Sequence, residues 1–124
     1  MIKILIVDDS VFSQKTIANL MHKNLDHVEI YFANDGQEGF IKYCELKPNY
    51  IFLDLLMPKI NGLELIKLIK EYYSEAKIIV LSADVQKNIR DEIEACDVMM
   101  FINKPFNQEK AQRICDMIRD DEIE

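Results

Sequence analysis

Three apolar runs in this chain each stop at a residue suited to chemistry. Ile4–Val7 runs into Asp8 and Asp9, Tyr50–Leu53 into Asp54, and Ile78–Leu81 into Ser82. A fourth, Met99–Asn103, runs into Lys104 and Pro105. Runs without polar alternation need burial on both faces, which is the pattern of strands inside a parallel sheet. Open α/β sheets bind ligands outside the carboxyl ends of their strands. Asp8, Asp9, Asp54, Ser82 and Lys104 are therefore expected to converge on one edge. Three carboxylates, a hydroxyl and an ammonium there describe a metal-assisted phosphoryl site.

Helical patterns separate the runs. Strand 1 is predicted over Lys3–Val7, and helix 1 over Val11–Lys23 with Ser10 as N-cap and Phe12, Ile17, Leu20 and Met21 on its apolar side. Strand 2, Val28–Ala33, is less apolar and reads as nearer an edge. Helix 2 follows the Asn34–Gly36 turn, with Phe40, Ile41 and Cys44 on one face, and ends before Pro48. Strand 3 is Tyr50–Asp54, and the loop Met57–Gly62 leads to helix 3, capped by Asn61 and running to about Tyr73. Strand 4 is Lys77–Leu81, helix 4 spans about Gln86–Ala95 with Ile89 and Ile93 inward, and strand 5 is Met99–Asn103. Helix 5 begins near Asn107 and carries Ala111, Ile114, Cys115 and Ile118 at helical spacing, while the acidic end from Asp120 is expected to fray. Five βα units with right-handed crossovers predict a doubly wound, flavodoxin-like (βα)5 fold: a five-stranded parallel sheet of order 2-1-3-4-5. That order sets strands 1 and 3 side by side, with Asp9 facing Asp54.

At 124 residues the chain suits a single domain over 1–124. A net charge of −7 argues against a nucleic-acid footprint, which needs clustered Lys and Arg. No apolar stretch is long enough to span a bilayer, and Met1–Ile4 enters a strand with no signal-peptide pattern, so a cytoplasmic protein is expected. Cys44, Cys96 and Cys115 are odd in number and form no C-x-x-C pair, which points away from disulfides or zinc and toward thiols within helices. His22 and His27 have no partner at ligand spacing and read as solvated.

Adjacent carboxylates with a third nearby call for a cation or protons between them. A hard divalent ion with oxygen ligands meets that need, and Mg²⁺ suits one or two carboxylates, waters and a phosphate. A carboxylate nucleophile can accept a phosphoryl group as an acyl phosphate. Asp54 is the candidate, because Leu55–Pro58 opens no helix for it to cap. Ser82 and Lys104 supply the donor and cation that a phosphoryl group's oxygens require. Glycine occurs only at Gly36, Gly39 and Gly62, so neither a P-loop nor a dinucleotide loop follows strand 1.

With these stretches in order, Ile6–Ser10, Leu53–Pro58 with Asn61 and Gly62, Val80–Ala83 and Phe101–Phe106, the chain resembles the CheY-like receiver domains of two-component response regulators across nearly its whole length. The resemblance implies that Asp54 takes a phosphoryl group from the phosphohistidine of a sensor histidine kinase. It implies Mg²⁺ held by Asp9, Asp54 and the Leu56 backbone carbonyl, with Asp8 assisting through water. Ser82 and Lys104 would bind the phosphoryl oxygens, and Phe101 falls at an aromatic switch position. Lys104–Pro105 would be a cis peptide. Lys104 would matter more for phosphoryl charge than for folding. The implied output is binding of a partner protein through helix 4, strand 5 and helix 5 of a monomer, without an attached output domain; Asp8–Phe12 is reminiscent of the chemotaxis type.

This sequence departs from many receivers at Leu56, apolar two residues after the acceptor, and at Asp84, acidic two residues after Ser82. Asp97 stands where receivers commonly have Gly before strand 5, and Phe101 lacks a tyrosine hydroxyl. A phosphorelay shuttle or a receiver cut from a longer regulator fits nearly as well. A Mg²⁺-dependent phosphatase with an Asp nucleophile would need an acid where Leu56 stands. A flavin carrier would need a phosphate loop where Asp8 and Asp9 repel phosphate.

Overall fold

The computed structural model describes residues 1–57, 59–83 and 85–123. Strands and helices alternate: β1 (Ile2–Val7), α1 (Val11–Asn24), β2 (Val28–Ala33), α2 (Gly36–Leu46), β3 (Tyr50–Leu53), α3 (Gly62–Tyr72), β4 (Ile78–Ser82), α4 (Lys87–Glu94), β5 (Met100–Asn103) and α5 (Gln108–Ile123). All pairings are parallel, in the order β2-β1-β3-β4-β5. This is the flavodoxin-like arrangement the apolar runs predict, and it sets β1 beside β3.

The strands divide their side chains between two cores, as the period of two requires. Ile4 and Ile6, Tyr50 and Phe52, and Ile79 and Leu81 face α1 and α5, meeting Ile17, Met21, Ile114 and Ile118. Leu5 and Val7, Ile51 and Leu53, and Ile78 and Val80 face the other layer, meeting Tyr43 of α2, Leu65, Ile66 and Ile69 of α3, and Ile93 of α4. The less apolar β2 lies at the edge, half-buried along most of its length.

Three sequence expectations need correction. Phe12 does not join the buried side of α1; it is 82% exposed, and the inward stripe is Gln14, Ile17, Ala18 and Met21. In α2, Ile41 points outward, and Gly36, Gly39 and Tyr43 face the sheet. A Cβ on Gly39 would sit 2.9 Å from a Val7 methyl carbon, so the helix lies close on β1 through a residue that an apolar pattern does not count. The acidic end of α5 does not fray: the helix reaches Ile123, and Asp121 and Glu122 accept hydrogen bonds from the buried Tyr50 hydroxyl at 2.5 and 2.8 Å. Asp121 also pairs with Lys77. The Lys77 hydrogen bond, helped by Tyr50, holds the Asp121 carboxyl below its ordinary range. Burial, and then those same two carboxylates, push the Tyr50 phenol well up.

Smaller expectations hold. Ser10, Asp35 and Asn61 cap α1, α2 and α3, each accepting from the backbone N–H three residues on. Asp97 takes a left-handed conformation at φ 60°, and Lys104–Pro105 is cis. The three cysteines are free, with Cys115 buried, and both histidines are exposed. Among the described residues no helix is long and apolar enough to cross a membrane. Pro58 of the β3–α3 loop and Asp84 lie outside the described residues.

One contact fixes where β3 delivers its chemistry. Gly62 opens α3 against the end of β3, where a Cβ would lie 2.5 Å from Leu55 Cα and 2.6 Å from the Asp54 carbonyl oxygen. Glycine-to-alanine changes inside helices ordinarily stabilise by about 0.5–1 kcal/mol. Here Gly62→Ala should destabilise by about 1–3 kcal/mol, because backbone must move to admit the methyl group. Urea unfolding of the two proteins checks the sign.

Candidate functional site

Every polar residue that ends an apolar run arrives at the same edge. Asp8 and Asp9 follow β1, Asp54 follows β3, Ser82 closes β4 and Lys104 follows β5. Asp8, Asp9 and Asp54 each offer a carboxylate oxygen, and these oxygens lie within 4.8 Å of one another. Asp8 and Asp54 are buried and Asp9 is exposed, so the cluster has a closed floor and one open side.

Each buried oxygen has a donor. Asp54 Oδ1 accepts from the Ser82 hydroxyl at 3.1 Å and from the Leu56 backbone N–H at 3.2 Å. Asp54 Oδ2 accepts from Lys104 Nζ at 3.2 Å. Asp8 Oδ2 accepts from the same ammonium at 2.9 Å, and Asp8 Oδ1 accepts from the Ser10 N–H at 2.9 Å. Lys104 thus spans β1 and β3 from the far side of β4. Burial works against its ammonium, but the Asp8 hydrogen bond and the charges of Asp54 and Asp8 outweigh that and hold its pKa above the ordinary 10.5.

Charge counting shows what the arrangement lacks. Among the described residues three carboxyl groups share one ammonium, a formal excess of two negative charges. All the donors of that cluster are oxygens, a set that suits a hard divalent cation rather than zinc or copper. Leu56 keeps its amide at Asp54 while its side chain is 70% exposed, so no carboxyl group stands two residues after Asp54 to act as an acid.

Two residues that the sequence reading did not single out belong to the neighbourhood. Ser13 Oγ lies 3.3 Å from Lys104 Nζ and gives the ammonium a third acceptor. Gln14 is 5% exposed, and its amide donates to the Asp8 carbonyl. Its signal was present: Gln14, Ile17, Ala18 and Met21 share the spacing of a buried helix face, and a glutamine there needs partners. Phe101 stands apart from the acidic pocket, half-buried on β5 beside Val80, with the Arg90 guanidinium of α4 4.7 Å over its ring.

A family model described as the response regulator receiver domain matches residues 4–118. The chemotaxis protein CheY of Listeria monocytogenes is 36% identical over 111 residues, covering 90% of this chain and 92% of that protein. A protein-glutamate methylesterase/protein-glutamine glutaminase of Geobacter sulfurreducens is 31% identical over 104 residues, which are 84% of this chain and 28% of that longer protein. This chain therefore spans well under half the length of such methylesterase relatives. The CheY of the CheX-CheY-BeF3-Mg complex of Borrelia burgdorferi superposes with a TM-score of 0.85 at 29% identity, over 94% of this chain and 89% of that one.

The ion pairs give Lys104 a part in holding the folded edge together. A lysine pKa raised by folding contributes stability that is fully present below 10.5 and is lost as pH climbs through the raised value. Lys104→Met, which keeps the aliphatic stem, should cost about 1 kcal/mol at neutral pH once solvent screening is allowed for. That deficit should narrow above pH 10.5, and melting curves of both proteins from pH 7 to 11 measure it.

Proposed function

The chain belongs to the response regulator receiver domain family, and from that membership we propose that it is a Mg²⁺-dependent phosphoacceptor that carries a signal from a sensor histidine kinase to a partner protein. The observation that carries this reading is Asp54, a strand-end carboxylate with a hydroxyl, an amide and an ammonium already aimed at its two oxygens.

The step is an exchange of one bond for another. An Asp54 carboxylate oxygen attacks the phosphorus of a phosphohistidine, the P–O bond of an acyl phosphate forms, and the P–N bond breaks with its electron pair returning to the imidazole. Asp9, Asp54 and the Leu56 carbonyl would hold the metal, with Asp8 assisting through water. When bound, Mg²⁺ supplies positive charge against the phosphoryl oxygens. The Ser82 hydroxyl and the Lys104 ammonium, now on Asp54, would transfer to those oxygens and neutralise them further. The Borrelia CheY, found in a complex with CheX, BeF3 and Mg, lends support to a metal-dependent reading and to a protein as a binding partner.

The competing activities lose ground on the same residues. A phosphatase would need an acid where the Leu56 side chain points to solvent. A flavin site would need phosphate donors where Asp8 and Asp9 place carboxylates. A phosphorelay shuttle uses the same Asp54 chemistry and differs only in the acceptor that follows.

Output would pass through α4, β5 and α5. Drawing the Ser82 hydroxyl toward a phosphoryl group shifts the β4–α4 loop and opens space for the Phe101 ring. Burying part of that ring contributes about 1–2 kcal/mol. Leaving the Arg90 guanidinium forfeits about 0.5–1 kcal/mol of cation–π attraction. The balance favours rotation only modestly, so the switch is a population shift that phosphorylation biases.

Two measurements test the reading. Incubation with acetyl phosphate and Mg²⁺ should add one phosphoryl mass to the wild type and none to Asp54→Ala; full labelling of the variant would move the acceptor elsewhere. Amide NMR with beryllofluoride should shift α4 and β5 as well as the acidic pocket. Phe101→Tyr should keep that response better than Phe101→Ala. Arg90→Ala should enlarge the inward population roughly 2–5-fold. Shifts confined to the pocket would remove β5 from the mechanism.

A further inference from the structure

Gln14 is a polar side chain buried inside the apolar stripe of α1. Its amide nitrogen donates to the Asp8 carbonyl at 2.7 Å and to Asn34 Oδ1 at 2.8 Å, with the Ala33 carbonyl at 3.3 Å. The Ala33 carbonyl also accepts from the Asp8 N–H at 3.1 Å. Gln14 therefore seals the last rung between β1 and β2 at the point where the chain turns to present Asp8 and Asp9. Through Asn34 it ties that turn to the next loop, where Asp35 pairs with Lys59 of the β3–α3 loop at 3.4 Å. The two loops that supply the acidic cluster are thus braced from the same side.

We propose that Gln14 is a positioning residue for the divalent metal: by clamping the Asp8 carbonyl to the β2–α2 turn, it sets where the Asp8 and Asp9 carboxylates stand. Gln14 touches no carboxylate oxygen of the cluster and adds no charge, so its effect is purely one of geometry. Groups behind a metal's own ligands commonly set affinity by about 10-fold or more, because a ligand free to wander loses its preorganised pose. The inference rests on the metal reading above and adds a residue to it.

The test is Mg²⁺ titration of the unphosphorylated protein by calorimetry, with amide shifts of Asp9 and Asp54 as a second readout. Gln14→Leu keeps the volume and removes the donor; its Mg²⁺ dissociation constant should rise about 10-fold. Asn34→Ala removes one anchor from an exposed position and should give a smaller rise, which keeps the inference testable if Gln14→Leu does not fold. Ile17→Val, one turn further along the same helix face, is the control: it should lower the melting temperature and leave Mg²⁺ affinity unchanged. Dissociation constants within twofold of wild type for both Gln14→Leu and Asn34→Ala would overturn the inference, as would an equal weakening in Ile17→Val. A wild type that binds no Mg²⁺ would overturn the metal reading itself and this inference with it.

Discussion

The structure turns on one ammonium among three carboxylates. Lys104 reaches from β5 past β4 to hold Asp8 and Asp54 together, and it meets only part of their charge. A buried ion pair is weak support for stability, because removing the ions from water costs about as much as their attraction returns. Its value lies in what it leaves unmet. The pocket surrounds Asp54 with donors and leaves its carboxylates outnumbering the one ammonium that pairs with them. On the proposed reading, a cation and then a phosphoryl group would enter it without the protein first rebuilding the site.

Such a pocket requires rigid loops, and the fold supplies them by close approach rather than by extra core. Gly62 lets α3 begin against the carbonyl of Asp54, and Gly39 lets α2 lie on Val7. Asn61 and Asp35 cap the helices that follow, and Ser10 caps α1 directly after the acidic pair. The Asp8, Ser10, Leu56 and Gly62 amides all have acceptors, so hydrogen bonds tie down the turns that carry the carboxylates.

The architecture was legible because its signals are the strongest a sequence carries. Buried parallel strands read as unbroken apolar runs, and the residues at their ends fall on one edge whatever the details of the helices. Asp8, Asp9, Asp54, Ser82 and Lys104 were found that way, and the geometry brings all five together. Helix faces were less legible. Phe12 looks like a core residue in a one-dimensional pattern, yet it falls on the outward side of α1. The sheet-facing side of α2 is built from glycine and tyrosine, so its stripe does not register as apolar. The end of α5 reads as a frayed acidic tail because its partners, Tyr50 and Lys77, lie more than 40 residues away. Gln14 was overlooked for the converse reason: a polar residue in an apolar stripe looks like a gap in the pattern when it is the feature that needs explaining.

The two halves of the pocket are supported by different parts of the fold. Asp8 and Asp9 rest on α1 and the β2–α2 turn, through Ser10 and Gln14. Ser82 and the ring of Phe101 rest on the β4–α4 side, where Arg90 lies over the ring. Asp54 stands between them, and Lys104 links the end of β5 to Asp8 after β1 and to Asp54 after β3. On the proposed reading, metal affinity and output would therefore be open to separate adjustment, the first by residues behind β1 and the second by residues on α4. A change at Gln14 would alter how readily the site is charged, whereas a change at Arg90 would alter how far a charged site moves the surface. Lys104 is the exception. It pairs with Asp8 and Asp54 together, so on the proposed reading a substitution there would perturb both halves of the pocket at once.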